Sequence, residues 1–312
     1  MKNTFTSFDC NDIDFEVLFD DLIENKDIHM LLSLINDFES GVWRVNKFKL
    51  FILNHMSQTA LTYEEREILG REHATVIQRC SERIREIQEN DTSKNRGNGG
   101  EFGEAFLYGI LKKYYKAFPV NPKIFYKQNR NDYAKGADSV HITEDNEGNF
   151  HLWLGESKFY KDLVEAISNA IQSIRDLLVN NKLSKEKSLI MNIGDLKQYA
   201  KDNNLLDSEK YKKLERILRL DTSLDELKKI LHIPISIIYE CKITQNTQDI
   251  TEQYREKIKE FHYTKAKNIQ VKLNRELSEV YGIDKVKFHI ILFPIPSKED
   301  VLTKIQKVIE VL

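Results

Sequence analysis

Two runs, Ala137-Asp-Ser-Val-His-Ile-Thr143 and Phe150-His-Leu-Trp-Leu-Gly-Glu-Ser-Lys-Phe-Tyr160, decide how this chain is built. Between them lies Glu144-Asp-Asn-Glu-Gly-Asn149, whose Asp, Asn and Gly favour a turn. The pattern predicts a β-hairpin. With the turn centred near Asn146, Asp138 faces position 155, within about one residue of Glu156. Side chains alternate along a strand. Asp138, Val140 and Ile142 therefore share one face of the first strand, and Leu152, Leu154, Glu156 and Lys158 share one face of the second. Each apolar stripe ends in an acid, and a lysine follows the second acid. Burying such groups is costly without compensation, and a divalent cation between the carboxylates is one natural compensation. A solvated ion pair on an exposed strand is the ordinary alternative.

Upstream, the pattern predicts a helix over about 101–115. Glu104, Leu107, Leu111 and Tyr114 recur at steps of 3, 4 and 3, which puts Glu104 on the inward face, with Glu101 in reserve on nearly the same stripe. Carboxylates without histidine or thiolate companions suit a hard cation, Mg²⁺ with Mn²⁺ as a substitute. Such an ion lowers the pKa of bound water and neutralises charge on a scissile phosphate. Lys158 adds a compact positive charge for the nucleophile or the phosphorane. Two neighbouring anions raise its pKa, so it does not read as a simple general base.

Glu-x-Lys alone is a weak signal, because it occurs at Glu24, Glu156, Glu226 and Glu240. Glu24 and Glu226 sit in helical patterns, where a spacing of two separates the side chains. Glu240-Cys-Lys242 ends the apolar run Ile233–Tyr239 and is the serious competitor, but no acid-bearing hairpin strand lies immediately upstream.

Outward from the hairpin, the chain alternates helical and strand-like segments: strand-like Lys123–Lys127, a helix over 163–180, a charged helical stretch over 194–231, strand-like Ile233–Cys241, a polar helix near 251–280, strand-like Val286–Phe293 and a terminal helix near 297–311. This predicts an α/β fold, a mixed sheet flanked by helices. Residues 12–60 read as helices, and 63–90 as one long helix with a seam of Ile77, Cys80, Ile84 and Ile87 that could face the body or a partner. The Asp, Asn, Ser and Gly of 91–100 mark the clearest break, which divides a helical N-terminal region, 1–95, from a second domain, 96–312.

At 312 residues, with 41% hydrophobic and 31% charged side chains, the composition excludes collagenous, low-complexity and largely disordered classes. Three scattered cysteines argue against a disulfide framework or a zinc knuckle. No apolar run is long enough to span a membrane, and no signal peptide is visible, so a soluble cytoplasmic protein is expected. The net charge of −2 hides a local excess of cations over 101–135, 7 basic against 3 acidic, which leaves room for a polyanion site. Lys123, Lys127, Arg130 and Lys135 lead into the hairpin and are candidates to guide DNA phosphates. Lys112, Lys113 and Lys116, interleaved with Tyr114, Tyr115 and Phe118, could contact DNA or simply complement a helix dipole. His141 should point away from Asp138 and reads as structural. Gln172 is either near the site or on a polar helix face.

Glu101-Phe-Gly-Glu104, Gly136-Ala-Asp138-Ser-Val-His-Ile142 and Leu154-Gly-Glu156-Ser-Lys158-Phe-Tyr160 together resemble the PD-(D/E)xK, or restriction-endonuclease-like, nucleases. More narrowly, they resemble the HamA family, the nuclease subunit of the bacterial Hachiman anti-phage system. The matched motifs span about 100–180. The resemblance implies a restriction-endonuclease-like core and Mg²⁺-dependent hydrolysis of DNA. Asp138 matches the first motif acid, Glu156 the second, Lys158 the lysine and Glu104 the acid of the leading helix. These imply Asp138, Glu156 and Lys158 as the catalytic set and Asp138, Glu156 and Glu104 as metal ligands. Ala137 stands where the motif name has proline. The family further implies a superfamily 2 helicase partner (HamB-like). The alternative is a non-catalytic DNA-binding or helicase-regulating adaptor.

Overall fold

The structure is a computed structural model that describes residues 14–21, 28–70, 72–90, 99–127, 136–179, 182–192, 194–202, 208–219 and 221–311. Its strands are β1 (Glu16–Asp21), β2 (Ile28–Ile35), β3 (Phe38–Glu39), β4 (Val42–Trp43), β5 (Phe118–Asn121), β6 (Ser139–Glu144), β7 (Phe150–Tyr160), β8 (Leu231–Glu240) and β9 (Lys287–Ile295). The helices are α1 (Val45–Ala60), α2 (Tyr63–Ile68), α3 (His73–Asn90), α4 (Gly100–Tyr115), α5 (Lys123–Lys127), α6 (Leu163–Val179), α7 (Lys182–Asn192), α8 (Gly194–Asp202), α9 (Glu209–Leu218), α10 (Leu224–Lys228), α11 (Lys242–Gln245), α12 (Glu252–Glu276) and α13 (Lys298–Val311).

Seven strands form one mixed sheet in the order β1-β2-β9-β8-β7-β6-β5. β2, β9, β8 and β7 run parallel to one another, β1 joins β2 antiparallel, and β6 and β5 join antiparallel on the other side. Apolar residues occupy both faces of β8. Leu231, Ile233, Ile235 and Ile237 pack into one core, and Ile238 enters the other. Near-continuous apolar runs are what parallel strands covered on both sides require. One core is closed by α1, α3, α4 and α13, and the other by α6 to α10 and α12. The candidate residues therefore lie in a three-layer α/β fold.

The N-terminal segment departs from expectation. Residues 16–21 and 28–35 are strands, and among the described residues helix begins only at Val45. Leu31 and Ile35 enter one core and Leu32 and Leu34 the other. A run buried on both faces has no period that separates strand from helix. Because β2 pairs parallel with β9, the expected division at 95/96 does not separate two sheets or cores: β1 and β2 complete the sheet of the C-terminal part. The helical part of the N-terminal region is α1 to α3. The break itself, 91–98, lies outside the described residues.

Two smaller corrections follow. Lys123–Lys127 is helix α5, entered after Pro122, and the strand falls earlier, at Phe118–Asn121. The 63–90 segment is two helices, the first started by a capping box in which Thr62 and Glu65 satisfy each other's backbone amides. The apolar seam of α3, with Val76, Cys80 and Ile84 buried, packs against α1 and α13, so it belongs to the body.

Candidate functional site

The hairpin pairs Ser139 with Gly155 and Val140 with Leu154. Continued by one step, that register sets Asp138 opposite Glu156. The Asp138 amide donates to the Gly155 carbonyl at 2.8 Å. Its carboxylate turns across the ladder, and Oδ2 accepts the Ser157 amide at 2.9 Å. The first acid is thus tied to the residue between the second acid and the lysine.

Glu156 and Lys158 project together from β7 towards α6. Glu156 is 7% exposed. The Lys158 ammonium donates to Glu156 Oε1 and reaches Ser173 Oγ of α6 at 3.5 Å. Burial, reinforced by the Asp138 charge, pushes the Glu156 carboxyl up to about 8 despite the neighbouring lysine. Burial works to lower Lys158, but the charges of Glu156 and Asp138 outweigh it and hold the ammonium above its ordinary value. Two carboxylates crowd a buried corner that one lysine only partly neutralises. A second cation there would be electrostatically welcome.

The donor set is two carboxylates from adjacent strands. Among the described residues no group of three or more His, Cys, Asp or Glu side chains is placed to hold an ion. This fits Mg²⁺, which is commonly bound by one or two carboxylates while water and substrate oxygens complete its shell.

A sequence model of the HamA family matches residues 6–309. The chain belongs to the HamA family. HamA membership supports a role in Hachiman anti-phage defence. No curated protein matches the chain. Among the described residues no helix is long and apolar enough to cross a membrane.

In this HamA chain the leading-helix acid is not part of the cluster. Glu104 is buried, but α4 covers the face of β7 that carries Gly155 and Ser157. Alternation puts Glu156 and Lys158 on the other face. Gly155 leaves little room there: a Cβ would force Ser139 Oγ to move and lie 2.8 Å from Leu107 of α4. His141 shares the α4 face, buried against the Tyr108 ring at 4.4 Å between centroids, pointing away from the site as expected.

Lys123 is corrected more sharply. It is 3% exposed, and its ammonium sits 3.0 Å from both oxygens of Glu186, itself 1% exposed. It offers no surface to a phosphate. Lys127 ends α5, and Arg130 and Lys135 lie outside the described residues. The 112–118 patch also turns inward in part. Lys113 pairs with Asp14, the Tyr114 hydroxyl bonds the Phe15 backbone, and Tyr115 packs on Trp153 and His289.

Two residues near the HamA site carry no local sequence signal. Ser173, and not Gln172, reaches Lys158; Gln172 donates to Asp176 on the exposed side of α6. Glu186 of α7 accepts the Ala137 amide at 3.1 Å while holding Lys123, and so pins the backbone immediately before Asp138. Gly136 allows this approach, because any Cβ would overlap the Glu186 carboxylate. The competing Glu240 is a helix cap: it accepts the Lys298 amide at 2.7 Å, at the start of α13.

Proposed function

We propose that this chain is a metal-dependent deoxyribonuclease, using Mg²⁺ or Mn²⁺, that serves as the effector of a Hachiman complex with a superfamily 2 helicase. The observation that supports it most is the convergence of Asp138, Glu156 and Lys158 on one buried corner, with Asp138 anchored by the Ser157 amide. Asp138 and Glu156 would hold the cation. When bound, the metal supplies charge neutralisation and a more acidic water. Asp138 keeps its orientation through the Ser157 amide. Lys158, kept protonated by the two acids and steadied by Ser173, places a fixed positive charge where a phosphate would carry developing negative charge. The raised pKa of Lys158 suits an electrostatic partner better than a proton acceptor.

The test is a supercoiled plasmid incubated with purified protein, alone and with the helicase encoded beside it. Nicking or linearisation that needs Mg²⁺, stops with chelator and is absent in Glu156→Ala and Lys158→Ala supports the proposal. DNA or helicase binding that both variants retain, with no cutting by any form alone or in complex, overturns it in favour of a non-catalytic adaptor.

A further inference from the structure

We infer that the C-terminal half of α12 is a docking surface for the backbone of a DNA duplex. The helix is divided by charge. Residues 252–260 carry three acids and three bases, four of which pair within the helix: Lys259 with Glu256 at 3.0 Å and Arg255 with Glu252, Arg255 also reaching Glu16 of β1. Residues 261–275 carry Lys265, Lys267, Lys272 and Arg275 and no acid at all, in a chain whose formal charge is −2. Arg275 pairs with Glu276 just beyond. Among the described residues the three lysines form no ion pair.

Two of them lie along aromatic rings instead. Lys267 sits 4.2 Å from the centroid of Tyr263, and Lys265 5.1 Å from that of Phe261. The inward side of the same helix is spent on the core, with His262, Ala266, Ile269 and Leu273 buried. At about 100° per residue, Lys265 and Lys272 share one flank of that stripe and are half-buried, and Lys267 lies exposed on the other flank. The surface extends towards the β1 edge, where Tyr263 packs near Phe19.

The occupant follows from the chemistry. Protein interfaces are depleted in lysine and built around an apolar centre, and the large apolar groups exposed on this half of the helix are Tyr263 and Val271. Lysines on both flanks of a stretch that itself holds no acid match a polyanion of regularly spaced phosphates. Fifteen helical residues cover about 22 Å, or six to seven base pairs at about 3.4 Å each. α12 packs beside α6 and over β2, in the same layer that faces Glu156. From β7 to β2 is three strand steps, about 14 Å. A duplex, and not a single phosphate, is the partner that spans both places. The choice of DNA as the polyanion rests on the nuclease proposal, but the binding does not require cutting.

The test is fluorescence anisotropy of a labelled 30-base-pair duplex with full-length protein in chelator, over a range of salt. Lys265→Glu/Lys267→Glu/Lys272→Glu is compared with a charge-matched control on other helices, Lys201→Glu/Lys212→Glu/Lys213→Glu, each checked for an unchanged melting temperature. The expected result is at least ~10-fold weaker binding and a salt slope reduced by about 2–3 in the α12 variant only. Lysine-to-glutamine replacements should give the same ordering with smaller effects. Equal weakening in both variants, unchanged affinity in the α12 variant, no duplex binding by the wild type, or loss of an acidic protein partner with DNA affinity intact would each overturn it. Failure of the nuclease proposal looks different: the wild type binds the duplex through α12 but does not cut with Mg²⁺.

Discussion

The Ser157 amide donates to Asp138 Oδ2 at 2.9 Å, so the acid of one hairpin strand is held by the backbone of the other. Asparagine preserves an oxygen acceptor at that point and removes the charge. Asp138→Asn should therefore fold normally, bind Mn²⁺ at least ~10-fold more weakly, and lose cleavage. Lys158→Ala removes a positive charge and no metal ligand. It should keep Mn²⁺ affinity while cleavage falls by about 100–1,000-fold. Calorimetric titration of Mn²⁺ beside a plasmid assay separates the two. Weakened Mn²⁺ binding in Lys158→Ala would contradict the division of roles.

Glu186 and Lys123 form a buried ion pair next to the backbone of Ala137. Removing one partner of such a pair costs about 3–5 kcal/mol, because a charge is left buried without compensation. Glu186→Gln should show a loss of this size in urea unfolding. Lys123→Met combined with Glu186→Gln should recover much of it. Additive losses in the double variant would show that the two side chains do not act as a pair.

Two buried histidines and the half-buried His55 set the acid limit of stability. Burial holds His55, His141 and His262 down to about 3, with Lys112 and Lys113 adding to the effect at His55 and Arg66 at His141. The unfolded chain binds protons near pH 6.5, which the folded chain refuses until about 3. Stability is therefore complete above about 6.5 and declines as the pH falls towards 3, by about 2 kcal/mol for each histidine at pH 5. Urea midpoints should fall between pH 7.5 and 5. Glu156, held at about 8, works in the opposite direction over this range, so His141→Phe, which keeps a ring against Tyr108, should reduce the histidines' share of the fall by about one third. A midpoint that is flat across this range would refute the prediction.

Lys116 closes α4 with φ at +54°. A glycine occupies this left-handed position without steric cost. Lys116→Gly should stabilise the fold by about 0.5–1 kcal/mol, whereas Lys116→Ala, which keeps the Cβ, should not. Thermal melts of the two variants provide the comparison.

The hairpin was legible because its information is local. A period of two, a polar turn and charges at the far ends of two apolar stripes set β6 and β7 and brought Asp138 within a residue of its true register with Glu156. The same local grammar marked α4, α6, α13 and the apolar runs of β8 and β9. It failed where burial comes from a distant part of the chain. Leu31, Leu32, Leu34 and Ile35 form a strand because β9 lies beside them, more than 250 residues later, and nothing in their spacing announces this.

The candidate site divides the same way. From sequence alone come the acid pair, the lysine and their common face, since alternation along paired strands is a property of the backbone itself. Only the tertiary structure decided what surrounds them. Lys123 turned inward because Glu186, 63 residues away, meets it in the interior. Ser173 became the neighbour of Lys158 because α6 packs back over β7, and Glu104 was separated from the pair because α4 covers the opposite face. Solvation and charge depend on what folds over a residue, and that is settled by long-range packing that no short stretch of chain encodes.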